Sequence, residues 1–358
     1  MAREFLSNEE IVQAARRNLS QGAWDYLVGA SESETTMRRN RLGFDRLAFR
    51  PRILVDVSSI DPSTTLLGLP LRIPVLLAPI GSLQVFDPEG AVAVSRAAAE
   101  FGTVHVVSSA TEPSLEATAA STPAPKVFQL YVHGDEAWTR DILGRVKAAG
   151  YAALCLTVDV AVYSRRERPL LSGWTTPTRR QTVDPRFRAG LTWETMDMIK
   201  EIGGLPFMLK GVATAEDAAR AIEHGVDVIW VSNHGGRQLD GAQGAIDTLP
   251  EIVAAVNGRA QIVLDGGVQR GGDVLKAIAL GANAVAIGKL QGWGLAANGT
   301  AGVVRVLELL EHEITVAMGL LGVTHIYQLN KNYVCGAEPV MPPHEMSMWV
   351  NMPGGRIL

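Results

Sequence analysis

An apolar run, DVIWV from Asp227, leads straight into SNHGGRQLDG, so a histidine and an arginine three residues apart fall where a strand would end. Their side chains suggest a division of labour. His234 has a reference pKa near working pH and suits a general base. Arg237 presents a planar fork that can clamp a carboxylate through two hydrogen bonds. Packing alone gives little reason for a histidine bounded by glycines with Arg237 and Asp240 nearby, so the pattern reads as chemistry.

Other polar residues close similar apolar runs: Ser108, Gln129 with Tyr131, Thr157 with Asp159, Lys210, Ser232, Asp265 before Gly266 and Gly267, and Gly288 with Lys289. One lysine among neutral hydrogen-bonding groups suits a flat heteroaromatic ring with a phosphate tail better than a metal, and no His/carboxylate ligand cluster is apparent. Lys210 would stabilise negative charge on such a ring as it accepts electrons. Asp159, if close to His234, would orient it and stabilise its charged form. Arg166 could reach in from the segment that follows. Each of LDGGVQRGGD and AIGKL alone is an ordinary turn between strand and helix. Together at the last two strands they favour a phosphate, because glycines let backbone N–H groups approach an anion.

These residues need a scaffold that brings strand ends together. From residue 71 the chain repeats a short apolar run followed by an Ala-rich helical stretch. Eight runs are legible, starting at Pro74, Val104, Lys126, Ala153, Pro206, Val228, Gln261 and Ala284. Helical stretches such as EGAVAVSRAAAEFG and GGDVLKAIALG end at glycine, as C-caps do. Eight is the count of a closed α/β barrel, and no GxGxxG follows the first strand, so a (β/α)8 TIM barrel is favoured over an open doubly wound sheet. The chain reads as a single domain: a helical and irregular N-terminal extension (1–70) over one end, the barrel (71–320), and a C-terminal tail (321–358) packed on a neighbouring surface. Residues 160–192, rich in Arg and Pro, form either a substrate lid or a solvated basic insertion after strand four.

The 358 residues are 47% hydrophobic, enough for a large core, and carry a formal net charge of -4. That charge and a pI near 6.0 leave no electrostatic footprint for nucleic acid. Cys155 and Cys335 lie far apart and read as reduced structural thiols without ligand spacing for a metal. The charged, amphipathic start MAREFLSNEEIVQAARRNL reads as neither signal peptide nor membrane anchor, so the cytoplasm is the expected setting.

SNHGGRQLDG, together with WDYLVGASE, FRPRILVDVS, LLAPIG, FQLYV, LTVD, LKGV, DGGVQRGGDVLKAIALGA and AIGK, resembles the FMN-dependent α-hydroxy acid oxidases and dehydrogenases along nearly the whole chain. That group includes glycolate oxidase, lactate oxidase, lactate monooxygenase and mandelate dehydrogenase. The resemblance implies oxidation of an L-2-hydroxy acid to the 2-oxo acid with FMN, the electrons passing on to oxygen or another acceptor. It makes His234 the base with Asp159 as its partner, Arg237 and Arg166 the carboxylate clamp, and Tyr26 and Tyr131 substrate contacts. Ser108, Gln129, Thr157, Lys210 and Ser232 would hold the flavin ring, with the Ile80 and Gly81 backbone near its reactive nitrogen. Asp265, Gly267, Gly288 and Lys289 would surround the ribityl phosphate. A homo-oligomer, commonly a tetramer, is also implied.

Several positions depart from the family. Gln269 and Lys289 stand where two arginines usually meet the phosphate, which weakens FMN retention unless Arg270 compensates. Ala110 replaces a bulky aromatic and the lid is short, so glycolate is expected to be poorer than larger or aromatic 2-hydroxy acids. Gly81 stands where oxidases tend to carry alanine, which leaves the acceptor open. Rival readings are a flavoprotein oxidising a peptide-derived substrate (the mycofactocin-precursor type), a type 2 isopentenyl diphosphate isomerase, and a flavin-binding scaffold with a decayed site. Arg237 speaks against the first and HGGRQLD against the second.

Overall fold

The eight apolar runs pair as parallel strands and close into a barrel in the computed structural model, which describes residues 5–177 and 184–340. The strands are β1 (Val75–Leu77), β2 (His105–Ser108), β3 (Lys126–Leu130), β4 (Ala153–Thr157), β5 (Phe207–Val212), β6 (Val228–Val231), β7 (Gln261–Asp265) and β8 (Ala284–Ile287). They are joined in chain order, and β8 closes on β1 with Val285 opposite Val75. Nearly every strand residue is buried, as expected when helices cover the outside and side chains fill the inside of a parallel barrel. The register matters for function. Ser108 lies opposite Gln129, and Thr157 opposite Lys210, so the polar strand ends form one ring at the C-terminal mouth.

Three helices precede the barrel: α1 (Asn8–Asn18), α2 (Gln21–Val28) and α3 (Thr35–Asp45). Around it run α4 (Gly90–Phe101), α5 (Leu115–Ala120) and α6 (Glu136–Ala148), then two short lid helices, α7 (Glu167–Leu171) and α8 (Arg186–Ala189). The circuit continues with α9 (Trp193–Gly203), α10 (Ala215–Glu223), α11 (Ala245–Val256), α12 (Gly271–Ala279) and α13 (Lys289–Leu321). The last is broken at Asn298 and Gly299, whose backbone angles leave the helical region.

The extension covers both ends of the barrel rather than one. A hairpin of Thr64–Leu66 and Leu69–Leu71 carries Leu66 and Leu71 into an apolar cluster with Leu76, Val104, Val106, Val127 and Met208, plugging the N-terminal end. Its two-residue turn puts Leu67 and Gly68 at φ 51° and 74°, the double positive φ that matches strand twist. At the opposite end, α2 and α3 lie over the mouth.

The segment after β4 is more ordered than its composition indicates. Besides its two short helices, it is tied down by the Arg168–Glu34 ion pair and by Glu32 N–H donating to the Arg165 carbonyl (2.9 Å). Residues 178–183 of the expected lid and 341–358 of the expected tail lie outside the described residues. The described tail adds Val334–Gly336 as an antiparallel partner to Leu47–Phe49.

Candidate active site

Beyond β6 the backbone turns left-handed for three consecutive residues: His234, Gly235 and Gly236 take φ of 60°, 65° and 77°. Glycine enters that region freely, whereas a side-chain-bearing residue is strained there. The local bonds hold it. Ser232 Oγ accepts the His234 N–H (3.0 Å), and Asn233 Oδ1 accepts the Gly236 N–H (3.1 Å). Asn40 of α3 exchanges two amide bonds with Asn233 (2.9 and 2.7 Å). A Cβ at residue 236 would stand 2.5 Å from the Met37 nitrogen, so α3 lies directly on the turn. The glycines therefore serve the backbone that aims the imidazole.

His234 Nδ1 lies 3.1 and 3.2 Å from the Asp159 carboxylate oxygens just past β4. A carboxylate only accepts, so Nδ1 carries the proton and Nε2 the lone pair. Nε2 faces the Tyr131 hydroxyl at 3.5 Å. Burial lowers the His234 pKa; Asp159 opposes that shift and Lys210 adds to it, with a net value below the ordinary histidine one. Burial alone would raise Asp159, but the His234 ring bonded to it and the charge of Lys210 outweigh it and keep the carboxylate ionised.

Arg237 and Arg166 meet only neutral acceptors. Arg237 donates to the Gly29 carbonyl (2.7 Å) and stacks over Tyr26 at 5.0 Å. Arg166 donates to Gln238 Oε1 (3.1 Å), Ser164 Oγ (3.3 Å) and the Arg237 carbonyl (3.3 Å). Among the described residues no carboxylate pairs with either. Burial, and then the neighbouring charge of Arg166, pulls Arg237 down to about 10. Two recessed guanidiniums held by carbonyls and hydroxyls favour an incoming anion. The Tyr26 hydroxyl donates to the Gly81 carbonyl (2.9 Å).

Lys210, rising from β5, donates to Ser232 Oγ (2.8 Å) and pairs with Asp265 (3.0 Å). Asp265 also accepts from Trp230 Nε1 (3.0 Å) and Ser232 Oγ (2.7 Å). Burial would lower the lysine pKa, but Asp265 and Asp159 raise it above the ordinary value, so the ammonium persists. Nearby, Ser108 donates to Gln129 Oε1 (2.7 Å). Among the described residues Gln129 Nε2 and Thr157 Oγ1 have no hydrogen-bond partner although both residues are buried. Orphaned buried groups cost about 1–3 kcal/mol each, so this cluster fits a polar heteroaromatic ring. Past β7 and β8, Gly266, Gly267 and Gly288 border the same cavity, where α13 begins with Lys289. Positive dipole ends and open backbone N–H groups there fit a phosphate. FMN, with one of each, matches this donor set.

One cavity of about 370 Å³ is lined by Tyr26, Ile80, Gly81, Tyr131, Arg166, Lys210, His234, Arg237, Asp265, Gly267, Gly288 and Lys289. The remaining site residues are outside its wall: Ser108, Gln129, Thr157 and Ser232 are buried, and Asp159 is coupled to it through His234. Three details go beyond the sequence reading. Arg270 places its guanidinium on Glu313 (3.0 Å) away from the cavity, so it does not replace a phosphate arginine. Lys289 Nζ donates to the Val28 carbonyl (2.7 Å). Arg41 of α3, which no motif marked, does line the cavity; it pairs with Asp273 (2.8 Å) and donates to the Gly267 carbonyl.

Residues 15–336 match the family model described as FMN-dependent dehydrogenase. An L-lactate oxidase of Nostoc sp. (strain PCC 7120 / SAG 25.82 / UTEX 2576) is 42% identical over 352 residues, 91% of this chain and 96% of that relative. A glycolate oxidase of Spinacia oleracea is 37% identical over 353 residues, 92% and 96% of the two chains. A crystal structure of a mandelate oxidase superposes with a TM-score of 0.87 at 37% identity, covering 94% of this chain and 100% of that one. The barrel, the donor set at its mouth and these likenesses agree: the chain belongs to the family of FMN-dependent dehydrogenases, and its cofactor is FMN.

Proposed function

We propose that the protein oxidises an L-2-hydroxy acid to the 2-oxo acid at this cavity, the whole chain acting as one catalytic domain. The observation that carries this reading is the imidazole Nε2, open toward a cavity that also holds two guanidiniums without carboxylate partners. Arg237 and Arg166 bind the substrate carboxylate, and Tyr26 and Tyr131 contact the substrate. His234 Nε2 takes the hydroxyl proton while Asp159 stabilises the imidazolium that forms. FMN, when bound, supplies the acceptor for the two electrons and the α-hydrogen. Ser108, Gln129, Thr157, Lys210, Ser232 and the Ile80–Gly81 backbone hold its ring; Asp265, Gly267, Gly288 and Lys289 serve its ribityl phosphate end. Asp265 also balances the Lys210 charge, which stays available to stabilise a reduced ring.

Oxygen, or another acceptor, is the second substrate. The setting is the cytoplasm: both cysteines are free, and among the described residues no helix is long and apolar enough to cross a membrane. The protein works as a homo-oligomer, a tetramer. Support comes from exposed Ile53, Leu54 and Tyr327, with Arg52 N–H donating to the Leu321 carbonyl (3.1 Å) and bringing this segment against the end of α13, where Leu320 is also exposed.

Anaerobic stopped-flow reduction of the bound flavin by glycolate, L-lactate and L-mandelate tests the reading. His234→Gln is expected to keep FMN yet slow reduction by about 10²–10⁴-fold. Near-normal reduction in that variant rules the base assignment out, and fastest reduction by glycolate rules out a roomy pocket.

A further inference from the structure

We propose that Arg188 binds a second anionic group at the far end of the substrate, so that the enzyme prefers L-2-hydroxy diacids of four or five carbons. This rests on the reading above, in which Arg166 and Arg237 take the carboxylate next to the reacting carbon.

Arg188 comes from α8 in the lid segment and lines the cavity. Its guanidinium carbon sits 5.6 Å from the centre of the Tyr163 ring, and Arg166 sits 5.6 Å from the same centre. The two cations are therefore at most about 11 Å apart, with the phenol ring between or beside them. Its neighbour Arg186 pairs with Asp184 (2.6 Å) in the open. Arg188 has no ion pair among the described residues, and its Nε is buried without a hydrogen-bond partner. The contact with Tyr163 is a cation–π one and gives the buried Nε–H no acceptor, and guanidinium N–H groups of this kind are what grip a carboxylate.

The surroundings favour an anion there. His133 lines the same wall, stacked against Tyr131 at 6.4 Å. Burial, and then the charge of Arg188, holds His133 down to about 4, so at neutral pH it is an uncharged imidazole able to donate one N–H. Of the two carboxylates on the wall, Asp265 is committed to Lys210, and Glu112 lies exposed. Three guanidiniums thus face the substrate end against that one exposed acid. The spacing also fits. Carboxylate carbons stand roughly 4 to 5 Å apart across a four- or five-carbon diacid with bonds of about 1.5 Å. Each paired guanidinium adds about 4 Å, set by N–H···O contacts near 2.8 Å. End to end that reaches about 12 to 13 Å, more than the upper limit of about 11 Å between Arg166 and Arg188, so such a diacid meets both guanidiniums when it binds at an angle rather than in line, whereas a monoacid has no second carboxylate to offer.

The test uses the FMN-loaded full chain. Anaerobic flavin reduction is measured with L-malate and L-2-hydroxyglutarate against L-2-hydroxyvalerate and L-mandelate, in wild type, Arg188→Gln and Arg188→Lys. The diacids are expected to exceed L-2-hydroxyvalerate at least tenfold in reduction rate over Kd. Arg188→Gln should erase that advantage while leaving the monoacids within twofold, and Arg188→Lys should restore part of it. Diacids that reduce the flavin no better than L-2-hydroxyvalerate overturn the inference, as does an equal loss for both classes in Arg188→Gln. Reduction by monoacids alone would then leave the proposed function standing, with Arg188 serving only as a cation stacked on Tyr163. If no acid of the panel bleaches the flavin, the proposed function falls and the diacid preference with it.

Discussion

At His234 burial and the neighbouring charges of Asp159, Lys210 and Arg166 compete, and the winner sets the pH dependence. Burial lowers the imidazole pKa most, Asp159 raises it, and Lys210 lowers it further. A base must be neutral to act, so reduction rate over Kd is expected to fall as pH drops through a value below the ordinary histidine pKa of about 6.5 and to be flat above it. Asp159→Asn removes the one raising influence, so the break should move to still lower pH. The plateau should nevertheless drop by about 10²–10⁴-fold, because the imidazolium formed during reaction loses its counter-charge and its Nδ1–H loses a carboxylate acceptor. A pH series of stopped-flow reduction on both proteins checks this. A break that moves upward, or an unchanged plateau, would mean that Asp159 does not act through the imidazole.

At the scale of elements, α3 turns an N-terminal extension into part of the site. Arg41 is 1% exposed and bridges to Asp273 at the start of α12, whose carboxylate also accepts the backbone N–H groups of Gln269 and Arg270 (2.9 and 3.0 Å). Burial would raise the Asp273 pKa, but Arg41 and these bonds hold it below the ordinary range. Its contribution to stability is thus present above the unfolded carboxylate pKa of about 3.9 and is lost as pH falls through the lower folded value. Asp273→Asn leaves Arg41 with Asp45 (3.0 Å) as its remaining counter-charge and is expected to cost about 1–3 kcal/mol at neutral pH, with weaker FMN binding because the 266–269 loop loosens. Urea unfolding of the apoprotein and an FMN titration measure the two effects; loss of neither would make the bridge incidental.

The sequence revealed the strands but not this bridge, for a physical reason. Strands buried on both faces must be apolar throughout, so eight such runs stood out, and the polar residues closing them were readable as a set. Arg41 sits in a helix with other arginines, and only the fold brings Asp273 to it. The hairpin leaves little mark in the sequence because its strands are three residues long and its turn uses Leu67 where asparagine or glycine would announce a positive φ.

Considered whole, the barrel separates stability from chemistry by its two ends. The C-terminal mouth holds strained backbone at His234, orphaned donors at Gln129 and Thr157, and cations without carboxylates. Those features cost stability, and the apolar packing elsewhere offsets them. The hairpin plug is part of that packing: Leu71 is 1% exposed and meets the inner barrel side chains at the N-terminal end. Leu71→Ala is therefore expected to lose about 2–5 kcal/mol of unfolding free energy through the cavity it leaves. In the folded fraction, anaerobic flavin reduction should stay within about twofold of wild type, since barrel chemistry is built at the opposite face. Chemical denaturation combined with single-turnover reduction tests both halves. A destabilised variant with a strongly slowed reduction would show that strain at the plug travels the length of the strands to the imidazole.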